Sequence, residues 1–109
     1  MRVGVRYDRL DENQREMHRV IRQTLGDGAA MMQDRAMTIV PVDTGRLRAS
    51  IQLQWVGNLL VEVFTIVEYG PYVEFGTRYM QAQPFFRPAY EQTYQYIIAL
   101  LKREIANVA

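Results

Sequence analysis

Asp43 and Glu74 are the carboxylates that first invite a chemical reading. Asp43 opens the Thr44-Gly45 turn, and Glu74 stands between Val73 and Phe75 in an otherwise apolar stretch. Two such groups can act as general acid and base or hold magnesium, but nothing in their spacing supports either use. His18 is the only histidine, it lies in an arginine-rich helical region, and the chain has no cysteine. The usual zinc sites and nucleophile-base pairs therefore cannot be assembled. Gly70 and Gly76 are flanked by bulky aromatics with no lysine following, so neither begins a phosphate-binding loop. The inventory predicts no catalytic residue, no metal ligand set and no cofactor.

Glu74 keeps its interest for another reason. If its stretch packs, an unpaired carboxylate there is expensive. Arg87, between Phe86 and Pro88, is the expected partner, since a guanidinium binds carboxylate bidentately. Such a pair would clip the excursion from Tyr79 to Gln83 closed. Around it cluster Tyr69, Tyr72, Phe75, Tyr79, Phe85, Phe86 and Tyr90, more aromatic surface than so small a core readily buries. With arginine, tyrosine is enriched at protein interfaces, so these rings are expected to divide between core and subunit contact.

The elements that position these residues follow from periodicity. Val3, Val5 and Tyr7 alternate with Arg2, Gly4 and Arg6, the pattern of an extended arm or edge strand over residues 1–9. Leu10, Met17, Ile21, Leu25, Met32, Ala36 and Ile39 then recur at helical steps, predicting a long amphipathic helix over 10–40 that Pro41 ends. Asp11 and Gln14 resemble a capping box. Gly26 and Gly28 each cost about 1 kcal/mol in a helix interior, so a kink near Asp27 is the competing expectation.

Residues 41–66 hold a turn, a short helix capped by Asp43 or Thr44 ahead of Gly45, and an antiparallel hairpin. Its strands are Ile51 to Trp55 and Leu59 to Ile66, joined at Gly57-Asn58. Residues 67–87 read as an aromatic, glycine- and proline-rich loop, and 88–109 as a C-terminal helix with Pro88 as its first residue. The fold class is α+β: a long N-terminal and a C-terminal helix packed on one face of a small, mainly antiparallel sheet with a central hairpin.

The 109 residues support one domain, burying about two thirds of the surface its unfolded chain exposes. Thirteen basic and 12 acidic residues are interspersed for a net charge of +1, which argues against phosphate neutralisation as the main task. No segment approaches the roughly 20 apolar residues of a membrane span. The first residues lack a secretory apolar run, so synthesis in the cytoplasm is expected.

Three blocks taken together carry a resemblance: Pro41 to Ile51 (PVDTGRLRASI), Tyr72 to Thr77 (YVEFGT), and Gln83 to Ala89 (QPFFRPA). In this order and spacing they resemble the gene-product-ten-like head-tail joining, or tail-completion, family of long-tailed bacteriophages and prophages. The resemblance implies a virion structural protein of the neck or head-proximal tail, made in the bacterial host. It further implies a homo-oligomeric ring that contacts other neck, connector and tail proteins and lets genomic DNA pass without sequence-specific binding. No membrane partner, catalysis or cofactor is implied. Carried over by position, Asp43, Thr44 and Gly45 form a structural turn. Tyr72, Glu74, Phe75, Gly76, Thr77, Tyr79, Met80, Pro84, Phe85, Phe86 and Arg87 become assembly elements, with the Tyr79 to Ala82 connection mobile before assembly. Val3, Val5 and Tyr7 would add to a neighbour's sheet edge, because a ring needs heterologous contacts. The family pattern leads one to expect an uninterrupted long helix, from which Gly26 and Gly28 depart.

Two other classes compete. A regulatory or toxin-like nucleic-acid-binding domain would use Arg15, Arg19 and Arg22 on one helix face against phosphates. A small hydrolase would bring Asp43 and Glu74 together in a concave pocket.

Overall fold

The computed structural model describes residues 12–41 and 45–108, without the side chains of residues 13 and 108. Val3, Val5, Tyr7, Asp11, Asp43 and Thr44 lie outside the described residues. Six elements follow in order: α1 (Glu12–Ile39), α2 (Arg46–Ala49), β1 (Gln52–Trp55), β2 (Val61–Phe64), α3 (Gly70–Phe75) and α4 (Phe86–Val108). The α+β class expected from the periodicity is the class observed. Among the described residues, no helix is long and apolar enough to cross a membrane.

Helix α1 runs unbroken through Gly26 and Gly28. A Cβ on Gly26 would sit 3.1 Å from Trp55 Cζ2, and one on Gly28 would sit 2.8 Å from Ile97 Cγ1. The glycines thus mark close approach, not a kink: they let the hairpin tryptophan and α4 press onto the helix backbone. The propensity cost of roughly 1 kcal/mol each is offset by that packing. Helix α4 lies antiparallel to α1, since Gly28 meets Ile97 while Arg35 Nε donates to Gln92 Oε1 at 2.9 Å.

The hairpin pairs Gln52 with Phe64, Leu53 with Val63, Gln54 with Glu62 and Trp55 with Val61. Gly57, at φ 89°, supplies the left-handed turn residue expected of the Gly57-Asn58 corner. Among the described residues these two strands are the whole sheet. The region after β2, read from sequence as a loop, contains α3 instead. Pro71 sits in its first turn and Gly76 ends it at φ 79°. The residues that signalled a loop are the start and stop of a short helix.

Helix α4 also begins two residues ahead of the expected Pro88, at Phe86. Proline is tolerated there because the first turn has no intrahelical acceptor for its missing N-H. Ala36, Val40, Leu47, Ile51, Val67, Phe85 and Ala89 form the core cluster joining α1, α2, the hairpin ends and the start of α4.

Candidate assembly site

The site is organised by Glu74 on α3, whose side chain is buried with the residue 9% exposed. Its Oε1 accepts the backbone N-H groups of Phe85 and Phe86 at 3.1 and 2.9 Å, and its Oε2 accepts that of Arg87 at 3.2 Å. The next residue, Pro88, has no N-H, and Ala89 N-H makes the first intrahelical bond, to Phe85 C=O at 3.2 Å. One carboxylate plus one proline therefore settles every donor that the start of α4 leaves open. A negative charge at a helix N-terminus is stabilised by the helix dipole as well.

The expected side-chain pair between Glu74 and Arg87 is not what forms. Arg87 Nε turns to Glu91 Oε1 at 3.0 Å, an exposed pair one helical turn along. The carboxylate is satisfied by backbone because Phe85, at the cap position of α4, offers no capping side chain of its own. The closure attributed to the pair is nonetheless present: Glu74 ties α3 to α4 across the connection from Thr77 to Pro84.

That connection is itself fastened. Gln83 N-H donates to Val73 C=O at 2.8 Å, Thr77 N-H to Met80 C=O at 2.8 Å, and Tyr79 N-H to Thr77 Oγ1 at 3.1 Å. Gly76 permits the tight crossing, since a Cβ there would lie 2.8 Å from Ala82 N.

On this frame the aromatics separate by face. Phe85 is fully buried against the core, with its ring 4.5 Å from that of half-buried Phe86. Tyr72, Phe75 and Tyr79 are 58%, 79% and 92% exposed, and Ile66, which lines the same groove as Phe75, is 76% exposed. Met80 and Pro84 are also exposed. Residues Ile66, Pro71, Phe75, Pro84 and Phe86 line an open groove of about 1200 Å³.

Two supports escaped the sequence reading. Arg46 of α2 holds Glu68 bidentately, Nη1 to Oε1 and Nη2 to Oε2 each at 3.1 Å, and lies 5.6 Å from the Tyr69 ring centroid. The pair raises the Arg46 pKa; a backbone hydrogen bond from Glu68 itself, and after it the bond to Arg46, lowers that of Glu68. Ser50 and Thr65 hydroxyls meet at 2.6 Å, joining the end of α2 to the end of the hairpin. No spacing rule links these positions; only the tertiary fold brings them together.

The competing constellations fare differently. Arg22 stacks 3.9 Å over the Trp55 ring and donates to the Gly57 and Asn58 carbonyls. Arg19 Nη1 pairs with Glu16 Oε2 at 2.9 Å. The arginine row is thus partly spent on the protein's own hairpin and helix instead of standing ready for phosphates. Asp43 lies outside the described residues, and the carboxylate of Glu74 is already committed to three amides. Among the described residues no group of three or more His, Asp or Glu is placed to hold a metal ion. Gly45, at φ 77°, precedes α2 as the turn residue expected there.

Residues 7–76 match the HK97-gp10-like family, described as "Bacteriophage HK97-gp10, putative tail-component". The chain belongs to the HK97-gp10-like family. The match runs through α1, α2, the hairpin and α3 and stops at Gly76, so it takes in Glu74 but not the start of α4 that Glu74 caps. No curated protein and no solved structure matches the chain.

Proposed function

We propose that this member of the HK97-gp10-like family is a virion subunit of the head-tail connection. It would form a homo-oligomeric ring in the neck or at the head-proximal end of the tail, joining head to tail and letting DNA pass through its lumen. The observation that carries the reading is the exposure of Ile66, Tyr72, Phe75 and Tyr79 on and around α3, the helix that Glu74 ties to the start of α4. Large apolar side chains exposed beside a groove mark a protein contact. A ring supplies that contact by setting one patch of each copy against a different patch of the next. Other neck, connector and tail proteins are the remaining partners. A net charge of +1 suits a lumen that lets DNA slide without gripping it. The role has no catalytic step and takes no cofactor.

Electron microscopy of particles from a strain lacking this gene tests the proposal. Separate filled heads and tails, rejoined on supplying the full chain, are the expected outcome. Normally joined particles would overturn it.

A further inference from the structure

Among the described residues the outer edge of β2 has no partner strand, and it opens onto an apolar channel. Val56 N-H bonds to Leu60 C=O at 2.7 Å, and Gln54 faces Glu62 in the next outward pair. In an antiparallel ladder this makes Glu62 and Phe64 the β2 residues whose backbone groups bond to β1, while those of Val61 and Val63 point away. Unpaired groups along an edge are a template for another strand.

Beside that edge lie two hollows. A small one of about 80 Å³ is lined by Leu25, Val61, Tyr94, Ile97 and Leu101 among others. The larger groove of about 1200 Å³ includes Phe64, Ile66, Phe75 and Tyr90. Both are lined by Met32 and Val63, so they form one channel with β2 as one wall, α4 as the other and α1 as the floor.

We propose that this channel receives residues 2–8 of a neighbouring copy as a third strand, extending the hairpin across the α1/α4 pair. The proposal rests on the homo-oligomer of the preceding section and names the contact that builds it. With Val3, Val5 and Tyr7 turned toward α1 and α4, period-two alternation puts Arg2 and Arg6 on the outward face, where β2 carries Glu62. Apolar side chains thus meet the apolar channel, and the basic ones share the outward face with Phe64 and the single carboxylate of Glu62. Seven residues span about 24 Å, enough to follow the edge from Val61 to Ile66.

Reach favours the neighbour over the chain's own arm. Leu25, where the channel starts, lies about 20 Å along α1 from Glu12. Tyr7 stands five residues before Glu12, a span of at most about 18 Å when fully extended, so this tether would let the chain's own arm bring Val3 and Val5 to the channel but not the Tyr7 backbone. A neighbour's arm has no such tether and can seat all three apolar residues.

Because the chain has no native cysteine, engineered disulfides can test this in the full protein. The double variant Val5→Cys/Val63→Cys, oxidised in assembled particles, is expected to give a ladder of covalent multimers on non-reducing gels. Gly4→Cys/Val63→Cys, of opposite parity, is expected to give roughly tenfold less. Val5→Cys/Val61→Cys repeats the test should the Val63 variant not fold. A disulfide confined to monomer-sized chains would put the arm on its own channel and overturn the proposal. Absence of any bond while native mass spectrometry still shows the oligomer would overturn it and leave the ring standing. A monomeric protein within joined particles would overturn the ring reading as well.

Discussion

Two places in the molecule combine a glycine, an aromatic ring and a charge, with opposite results. At the contact of α1 with the hairpin, Gly26 admits Trp55, and Arg22 covers the ring from outside. There the charge stays near solvent and the aromatic is drawn in. At α3 the charge of Glu74 is buried, and Tyr72, Phe75 and Tyr79 are left outside. The first arrangement closes a packing seam. At the second the buried carboxylate caps α4, while large apolar side chains on the same helix and the connection after it stay in water, which stability alone does not require. A surface that the fold fixes but does not need is the physical sign of a binding role.

Removing the buried charge has the largest expected effect on this contrast. Glu74→Ala leaves three N-H groups at the start of α4 without their acceptor, at a cost of about 3 kcal/mol. Chemical denaturation is expected to show that loss, whereas Arg87→Ala should move stability by no more than about 0.5 kcal/mol, because its partner is the exposed Glu91. Equal losses in the two variants would restore the side-chain pair and sink the capping account.

That pair shows where the sequence was legible and where it was not. The long helices, the hairpin corner and the oddity of Glu74 could all be read from periodicity and turn chemistry, which act locally. The partner of Glu74 could not, because a helix is usually capped by the residue just before it, and here the cap arrives from twelve residues upstream. One signal was available: Phe85 at the cap position of α4 has no acceptor, so a donor-rich helix start needed one from elsewhere. Helix α3 was missed because Gly70, Pro71 and Gly76 look alike as turn residues and as helix punctuation. The clamp of Arg46 on Glu68 has no local signal at all.

Next in size is the crossing at Gly76. At φ 79° and ψ 175° its backbone lies in a region that side-chain-bearing residues avoid, and an added Cβ would meet the Ala82 backbone. Gly76→Ala is therefore expected to cost about 2 kcal/mol and to loosen hydrogen-exchange protection at Gln83 N-H. Gly26→Ala, which meets a movable Trp55 side chain and gains helix propensity, should cost less in the same denaturation assay. The reverse order would mean that α3 is not the more tightly constrained of the two regions.

A smaller effect separates the regions by pH. His18 on α1 is buried, and that burial, with Arg22 nearby, lowers its pKa from 6.5. The unfolded chain then binds the proton more readily, so stability is complete above about pH 6.5 and falls as the pH drops toward the lowered folded value. The slope is at most about 1.4 kcal/mol per pH unit. Thermal melts between pH 7.5 and 5 are expected to show it in the native chain and not in His18→Gln, while Glu74→Ala keeps it. A slope that survives in His18→Gln would place the sensitive group elsewhere.

The smallest expected change in stability is the most informative about function. Phe75 is 79% exposed although it directly follows the buried Glu74 on α3, so Phe75→Ser removes little that folding uses. Surface substitutions of this kind usually stay within about 0.5 kcal/mol. Tyr79→Ser on the neighbouring connection should behave alike. Both variants are expected to melt like the parent chain yet to leave heads and tails unjoined when they replace it in particle production. The Trp55→Ser variant should show the converse, lower stability with joining retained at low temperature, because its ring serves the α1 seam. If Phe75→Ser melts early, the ring belongs to the fold; if it joins particles normally, the exposed face of α3 is not the contact.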